Sequence, residues 1–189
     1  ASLESRHVIR RKLGRKGGII VSDERLERNI NTMESLPVIA RRQGFVLSSN
    51  VLSASITPAS PSDMRLLELQ GDQAMIYTIE RLRLIEGKPL SLEMSHLPCD
   101  LFPMFLTKDL TAPFYTMFEP EYDVHPAGVD EVLEPLTADA HHGELLQVPA
   151  ETPLIRIRRV ARSSSGRPFE RAVDVYIANR MRFTMHHLG

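Results

Sequence analysis

The sequence predicts an α+β domain built on a mostly antiparallel sheet of about six strands with helices on one face. Three observations lead there: an internal repeat, long β-branched runs closed by Gly and Pro turns, and a short helical pattern ahead of each hairpin. Shifted by 79 residues, GDQAMIYTIERLRLIEGKPL (71–90) falls on AETPLIRIRRVARSSSGRPF (150–169) without a gap. Asp72 meets Glu151, Met75-Ile76 meet Leu154-Ile155, Arg83 meets Arg162, and Gly87-Lys88-Pro89-Leu90 meet Gly166-Arg167-Pro168-Phe169. Turn chemistry alone would produce Gly-basic-Pro twice. Agreement on both sides of the turn favours duplication of a helix, strand, turn, strand unit. Two such units pair their hairpins into one antiparallel sheet, because each exposes an apolar surface the other can cover.

The elements follow in order. RHVIRRKLGRKGGIIV (6–21) alternates on both sides of a Gly-rich, basic turn and reads as a β-hairpin. Two readings of it are open. It is an ordinary basic hairpin or tail, or it is the wing of a winged-helix DNA-binding domain, whose tip touches phosphates without reading sequence. On the second reading the chain is a fragment cut just after the recognition helix. Residues 22–45 read as a connector, then a short helix from about Leu36 to Gln43 with Pro37 in its first turn and Gly44 as stop. VLSSNVLSASITPAS (46–60) reads as a strand ended by Pro58. Next comes a helix capped by Ser60 or Ser62, carrying Met64, Leu66, Leu67 and Leu69 and stopped by Gly71. Strands follow at about Met75–Ile85 and Lys88–Leu97, at 122–136, and at about Pro153–Arg162 and Arg167–Ala178.

Composition narrows the function classes. The 189 residues are 42% hydrophobic and 25% charged, which suits one globular domain or one domain plus an appendage. No apolar run reaches the roughly 18 residues that span a bilayer, and no signal-peptide core is visible, so a cytoplasmic location is expected. One cysteine, Cys99, leaves no internal disulfide and no cysteine zinc cluster. With Lys+Arg 23 against Asp+Glu 24, any DNA contact must be local to the basic hairpin. The seven histidines include the adjacent pairs His141-His142 and His186-His187, whose side chains point apart, and they read as surface residues; no metal or cofactor is expected. No nucleophile-elbow, zincin, P-loop or dinucleotide pattern occurs, and no catalytic residue is assigned.

The hairpin RLRLIEGKPLSLEMSHLP (81–98) carries unusual charge. Residues two apart on a strand share a face, so Arg81 and Arg83 project together, an expensive arrangement on a half-buried sheet unless an anion meets them. Glu93 could close a cross-strand structural network with them, or all three could line a ligand site.

That run, together with APFYTMFEPEYDVHPAGVDEVLEPLTADA and GRPFERAVDVYIANRMRFTM, resembles the UTRA effector-binding domain of GntR-type, HutC-subfamily bacterial transcription regulators over about residues 24–187. Upstream, RKLGRKGGIIV is similar to the wing closing the GntR winged-helix domain. The resemblance implies a chorismate-lyase-like fold, a small-metabolite effector and a homodimer. It divides the chain into a wing remnant and linker (1–22) and an effector-binding domain (23–189). It places Arg81, Arg83 and Glu93 in the effector pocket, with Tyr115, Glu170 and Tyr176; apart from it, Glu170 reads as a surface acid and Tyr176 as a core aromatic. Two departures weigh against a phosphorylated sugar. Pro113 stands where sugar-phosphate-binding members carry serine, and SLPV (35–38) offers only Ser35, since Pro37 supplies neither hydroxyl nor N–H. The implied function is ligand sensing and dimerisation: a small anionic metabolite modulates operator binding, and DNA is reached through the missing winged-helix domain, with no membrane partner. The competing reading is a chorismate-lyase-like enzyme with Glu93 beside Arg81 and Arg83.

Overall fold

A computed structural model of the chain describes residues 9–11, 19–21 and 25–187. At its start β1 (Ile9–Arg11) pairs antiparallel with β2 (Ile19–Val21), as a hairpin requires. The basic tip that would join them lies outside the described residues.

The duplicated units are visible as topology. The first is β4 (Leu47–Pro58), α2 (Pro61–Leu66), β5 (Met75–Ile85) and β6 (Lys88–Pro98). The second is β7 (Pro126–Thr137), α4 (Ala140–Leu146), β8 (Pro153–Ser163) and β9 (Pro168–Ile177). Each packs its strands in sequence order, and the two join through β6 and β9 to give one six-stranded sheet, β4-β5-β6-β9-β8-β7. Every pairing in that sheet is antiparallel. Glu86 and Gly87, with φ of 50° and 73°, make the tight β5–β6 turn; both must be left-handed for the turn to follow the sheet's twist. Gly166, at φ 83°, occupies the matching turn of the second unit.

The repeat helices α2 and α4 lie on one face, as duplication leads one to expect. Ser60 is the N-cap of α2 and forms a capping box: its Oγ accepts from the Asp63 N–H, and the Asp63 carboxylate accepts from the Ser60 N–H. Arg171 on β9 donates to Asp63 at 2.7 Å and clips α2 to the sheet. Leu146 of α4 packs with Leu82, Leu92 and Val175.

A second cover, which the repeat does not contain, closes the other face. At one end α3 (Tyr115–Tyr122) buries Met117 and Phe118 against Tyr77, Ile79 and Phe169. The helix takes the first residues of the expected 122–136 strand; Asp123 turns the chain at φ 55° and β7 begins at Pro126. At the other end α1 (Leu36–Arg42) buries Ile39 and Ala40 beside Leu90, Ile157 and Tyr176. That end includes β3 (Leu26–Asn29), inside the expected connector, which pairs in parallel with β10 (Met181–Thr184) from the far end of the domain. Between the two apolar clusters the covered face is polar.

Candidate functional site

The polar stretch is built by strand parity. Arg81 and Arg83 lie on the covered face of β5, and Glu93 on β6 is the direct cross-strand partner of Arg81. On the other side Glu93 faces Asp174 of β9, and Ser91 faces Tyr176. Glu170 lies on the same face of β9, two steps along from Asp174, and β8 adds Arg159. Arg28 comes across from β3, whose Leu26 and Arg28 are its two buried residues.

Glu93 sits between two guanidiniums. One carboxylate oxygen accepts from Arg81 Nε at 2.9 Å and from its Nη2; the other accepts from Arg83 Nε at 3.2 Å and Nη2 at 2.9 Å. Arg81 also donates to the carbonyls of Leu110 and Ala112 and lies 3.5 Å over the ring of Phe114. Arg83 donates to Ser49. All three charged residues are buried. Burial alone would push the Glu93 carboxyl up, but Arg83 and Arg81 outweigh it and hold it well below the usual carboxylate range. The cross-strand network is therefore present.

The second half of the site is looser. Glu170 accepts from the Tyr115 hydroxyl at 2.9 Å and from Ser95 at 3.3 Å. Arg159 Nη2 donates to one Glu170 oxygen at 3.5 Å and lies 3.3 Å from the other, and Arg159 Nη1 lies 3.6 Å from Asp174, all longer than the bonds that Arg81 and Arg83 make to Glu93. Arg28 reaches Glu131 at 2.5 Å through Nη2. Three buried atoms here have no hydrogen-bond partner: Arg28 Nη1, Arg159 Nε and Asp174 Oδ2. Burial pushes the Asp174 carboxyl up to about 6, partly opposed by Arg159 and reinforced by Glu93. Burial also pushes up the Tyr115 and Tyr176 hydroxyls, helped by Glu170 and Asp174 respectively, so both stay protonated donors.

These groups surround a cavity of about 50 Å³. All six residues singled out in the sequence, Arg81, Arg83, Glu93, Tyr115, Glu170 and Tyr176, line it. So do Ser35, Pro37 and Pro113, the positions where the chain departs from sugar-phosphate binders. Arg28, Glu131 and Arg159 line it as well and were not singled out; nor was Asp174, buried beside Arg159. Two of these were within reach of the same i, i+2 reasoning. Asp174 shares a strand face with Glu170 and Tyr176, and Arg159 interrupts the buried row Ile157 and Ala161. Arg28 and Glu131 carry no such signal, because only packing brings β3 over the sheet. Among the described residues no group of His, Cys, Asp and Glu could hold a metal ion, and no helix is long and apolar enough to cross a membrane.

Residues 42–182 match the model of the UTRA domain family. The chain belongs to that family. This UTRA domain is 23% identical over 171 residues to the HTH-type transcriptional repressor NagR of Bacillus subtilis, spanning 90% of this chain and 70% of NagR. Its fold superposes on the crystal structure of PhnF from Mycobacterium smegmatis with a TM-score of 0.82 at 20% identity, over 99% of this chain and 81% of PhnF. A GntR-family transcriptional regulator from Enterococcus faecalis matches at TM-score 0.69 and 24% identity, over 74% of this chain and all of that chain. At such identities the structural matches establish the fold. The pocket's chemistry rests on the residues described above.

Proposed function

We propose that this UTRA domain is the ligand-sensing and dimerisation unit of a GntR-type, HutC-like transcription regulator of the bacterial cytoplasm, and that its arginine-lined cavity takes a small anionic effector. One observation carries the reading: four arginines, four carboxylates and two tyrosines gather around one enclosed space on a sheet face that is otherwise sealed by apolar clusters. A structure needing only stability would fill that space with hydrophobic side chains, since buried ion pairs cost about as much to desolvate as they return. The transcriptional regulators among its relatives fit a sensor. In this reading the β1–β2 hairpin is the wing of a winged-helix domain, through which operator DNA is contacted.

The enzyme alternative lodges a small carboxylate substrate among Arg81, Arg83 and Glu93, and one role open to Glu93 there is that of a general acid. Two guanidiniums hold it ionised instead, which removes its use as a general acid. A homodimer is favoured by the sheet edges: β4 exposes Val51, Leu52 and Ile56, and β7 exposes Val132 and Leu133 on the two edge strands of the sheet.

The test is a thermal-shift screen of phosphates, phosphonates, sugar acids and amino-acid derivatives, followed by a turnover assay on every hit. A true effector at a hundredfold excess over its Kd stabilises the fold by about 2.7 kcal/mol. Turnover of a hit, abolished by Glu93→Gln, would reverse the choice in favour of an enzyme. Sedimentation at tens of micromolar showing only the 21.4 kDa species would remove the dimer.

A further inference from the structure

The two arginines most conspicuous in the sequence are the least available for a ligand. Arg81 spends Nε and Nη2 on Glu93 and Nη1 on two backbone carbonyls, with its flat face on Phe114. Arg83 spends Nε and Nη2 on Glu93 and Nη1 on Ser49. The opposite wall differs. Arg28 uses Nη2 on Glu131 and leaves Nη1 buried without a partner. Arg159 leaves Nε buried without a partner, and its contacts to Glu170 and Asp174 are 3.3 and 3.6 Å long.

We propose that the effector's oxyanion is met by the guanidiniums of Arg28 and Arg159, on β3 and β8, while Arg81 and Arg83, already bound to Glu93, form a floor beneath it. The assignment rests on the effector reading above and specifies which charges do the binding. Both side chains line the same cavity, and the positive charge of Arg159 works against that of Arg28, which an anion between them relieves. A buried N–H without an acceptor has lost its water and gained nothing in return, so two of them at one cavity constitute a standing demand for acceptor oxygens. Carboxylate, phosphate and phosphonate all supply a pair of oxygens that a guanidinium can grip. The cavity holds about 50 Å³, enough for the oxyanion itself; the rest of the ligand extends past Ser35 and Pro113 in the lining. Asp174, with one oxygen unpartnered, can take up a proton when the anion arrives and so keep the pocket's charge balanced. Its surroundings are Arg159 on β8, Glu93 on β6, Arg28 on β3 and Glu170 and Tyr176 on its own strand. Arg28 lies on the first element described after the N-terminal hairpin, so the same anion would tie that connecting strand to the sheet.

The probes are sulfate, a tetrahedral dianion of constant charge, and acetate, a planar carboxylate, titrated at fixed ionic strength and followed by calorimetry. At least one binds the wild-type protein. Its Kd rises tenfold or more in both Arg28→Gln and Arg159→Gln, and less than threefold in the charge-neutral double variant Arg83→Gln/Glu93→Gln. The reverse ranking overturns the assignment and leaves the effector reading standing, whereas no binding of either anion to wild type removes both. Because these variants can lose stability, wild-type crystals soaked in selenate provide a second measurement. An anomalous peak within hydrogen-bond reach of Arg28 and Arg159 supports the proposal; a peak against Arg81 and Arg83, or none in the cavity, refutes it.

Discussion

Replacing Glu93 with Gln tests the floor of the cavity. Gln keeps the shape of the side chain but removes the only carboxylate that both Arg81 and Arg83 contact. Their side chains are 2% and 4% exposed, so water cannot replace the lost charge, and the two guanidiniums are left facing each other. Stranding a buried charge costs about 3–5 kcal/mol. Arg81 retains the carbonyls of Leu110 and Ala112 and Arg83 retains Ser49, which places the loss at the lower end, about 3 kcal/mol. For a domain of this size that is a fall in Tm of about 6–12 °C. The pH dependence gives a second check. Glu93 is depressed in the folded state, so its contribution is present above the unfolded carboxylate value and is lost only as pH falls through the folded one. The gap between wild type and variant in urea unfolding is therefore flat from about pH 5 to 8 and narrows only below about pH 4. A gap under about 1 kcal/mol, or one that closes between about pH 5 and 7, would show that Glu93 does not carry the charge of the network.

Asp174 has the opposite sign. Its folded value, about 6, lies above that of an unfolded aspartate, so the folded state holds the extra proton between the two and wild-type stability declines as pH rises through that window. Asp174→Asn removes the decline and raises stability at pH 7 by about 1–3 kcal/mol, checked by urea midpoints at pH 5 and 7.5. Tyr115→Phe deletes the 2.9 Å bond to Glu170 and costs about 1–2 kcal/mol in thermal unfolding; an unchanged Tm would mean that the hydroxyl is satisfied elsewhere. Ser60→Ala breaks the α2 capping box at a cost of about 1 kcal/mol, while Ser62→Ala stays within about 0.5 kcal/mol. Equal effects at the two serines would contradict the cap assignment.

Much of this protein is settled locally. β5 and β6 read from alternation and from the Glu86-Gly87 turn, which sets Ile85 opposite Lys88 and Leu84 opposite Pro89; a bulge between Arg83 and Leu84 then shifts the register by one residue and brings Glu93 opposite Arg81. The repeat predicted that the two hairpins join in one antiparallel sheet, and the structure makes the junction through β6 and β9. Arg81 and Arg83 read as neighbours because strand parity is exact to one residue, whereas Glu93, Glu170 and Tyr176 are placed with them in the pocket only by the family resemblance. What parity does not contain is distance between strands far apart in sequence. β3 has four residues, too few for a pattern, and exists because β10 pairs with it from the other end of the domain. That pairing carries Arg28 over the sheet, and α3 with α1 closes the face above Glu93. The sequence by itself determined that Arg81 and Arg83 share a face of the sheet. Only the tertiary structure decided which of the pocket's charges are neutralised within the fold and which retain unpartnered donors, because a guanidinium's remaining valence depends on every atom packed around it.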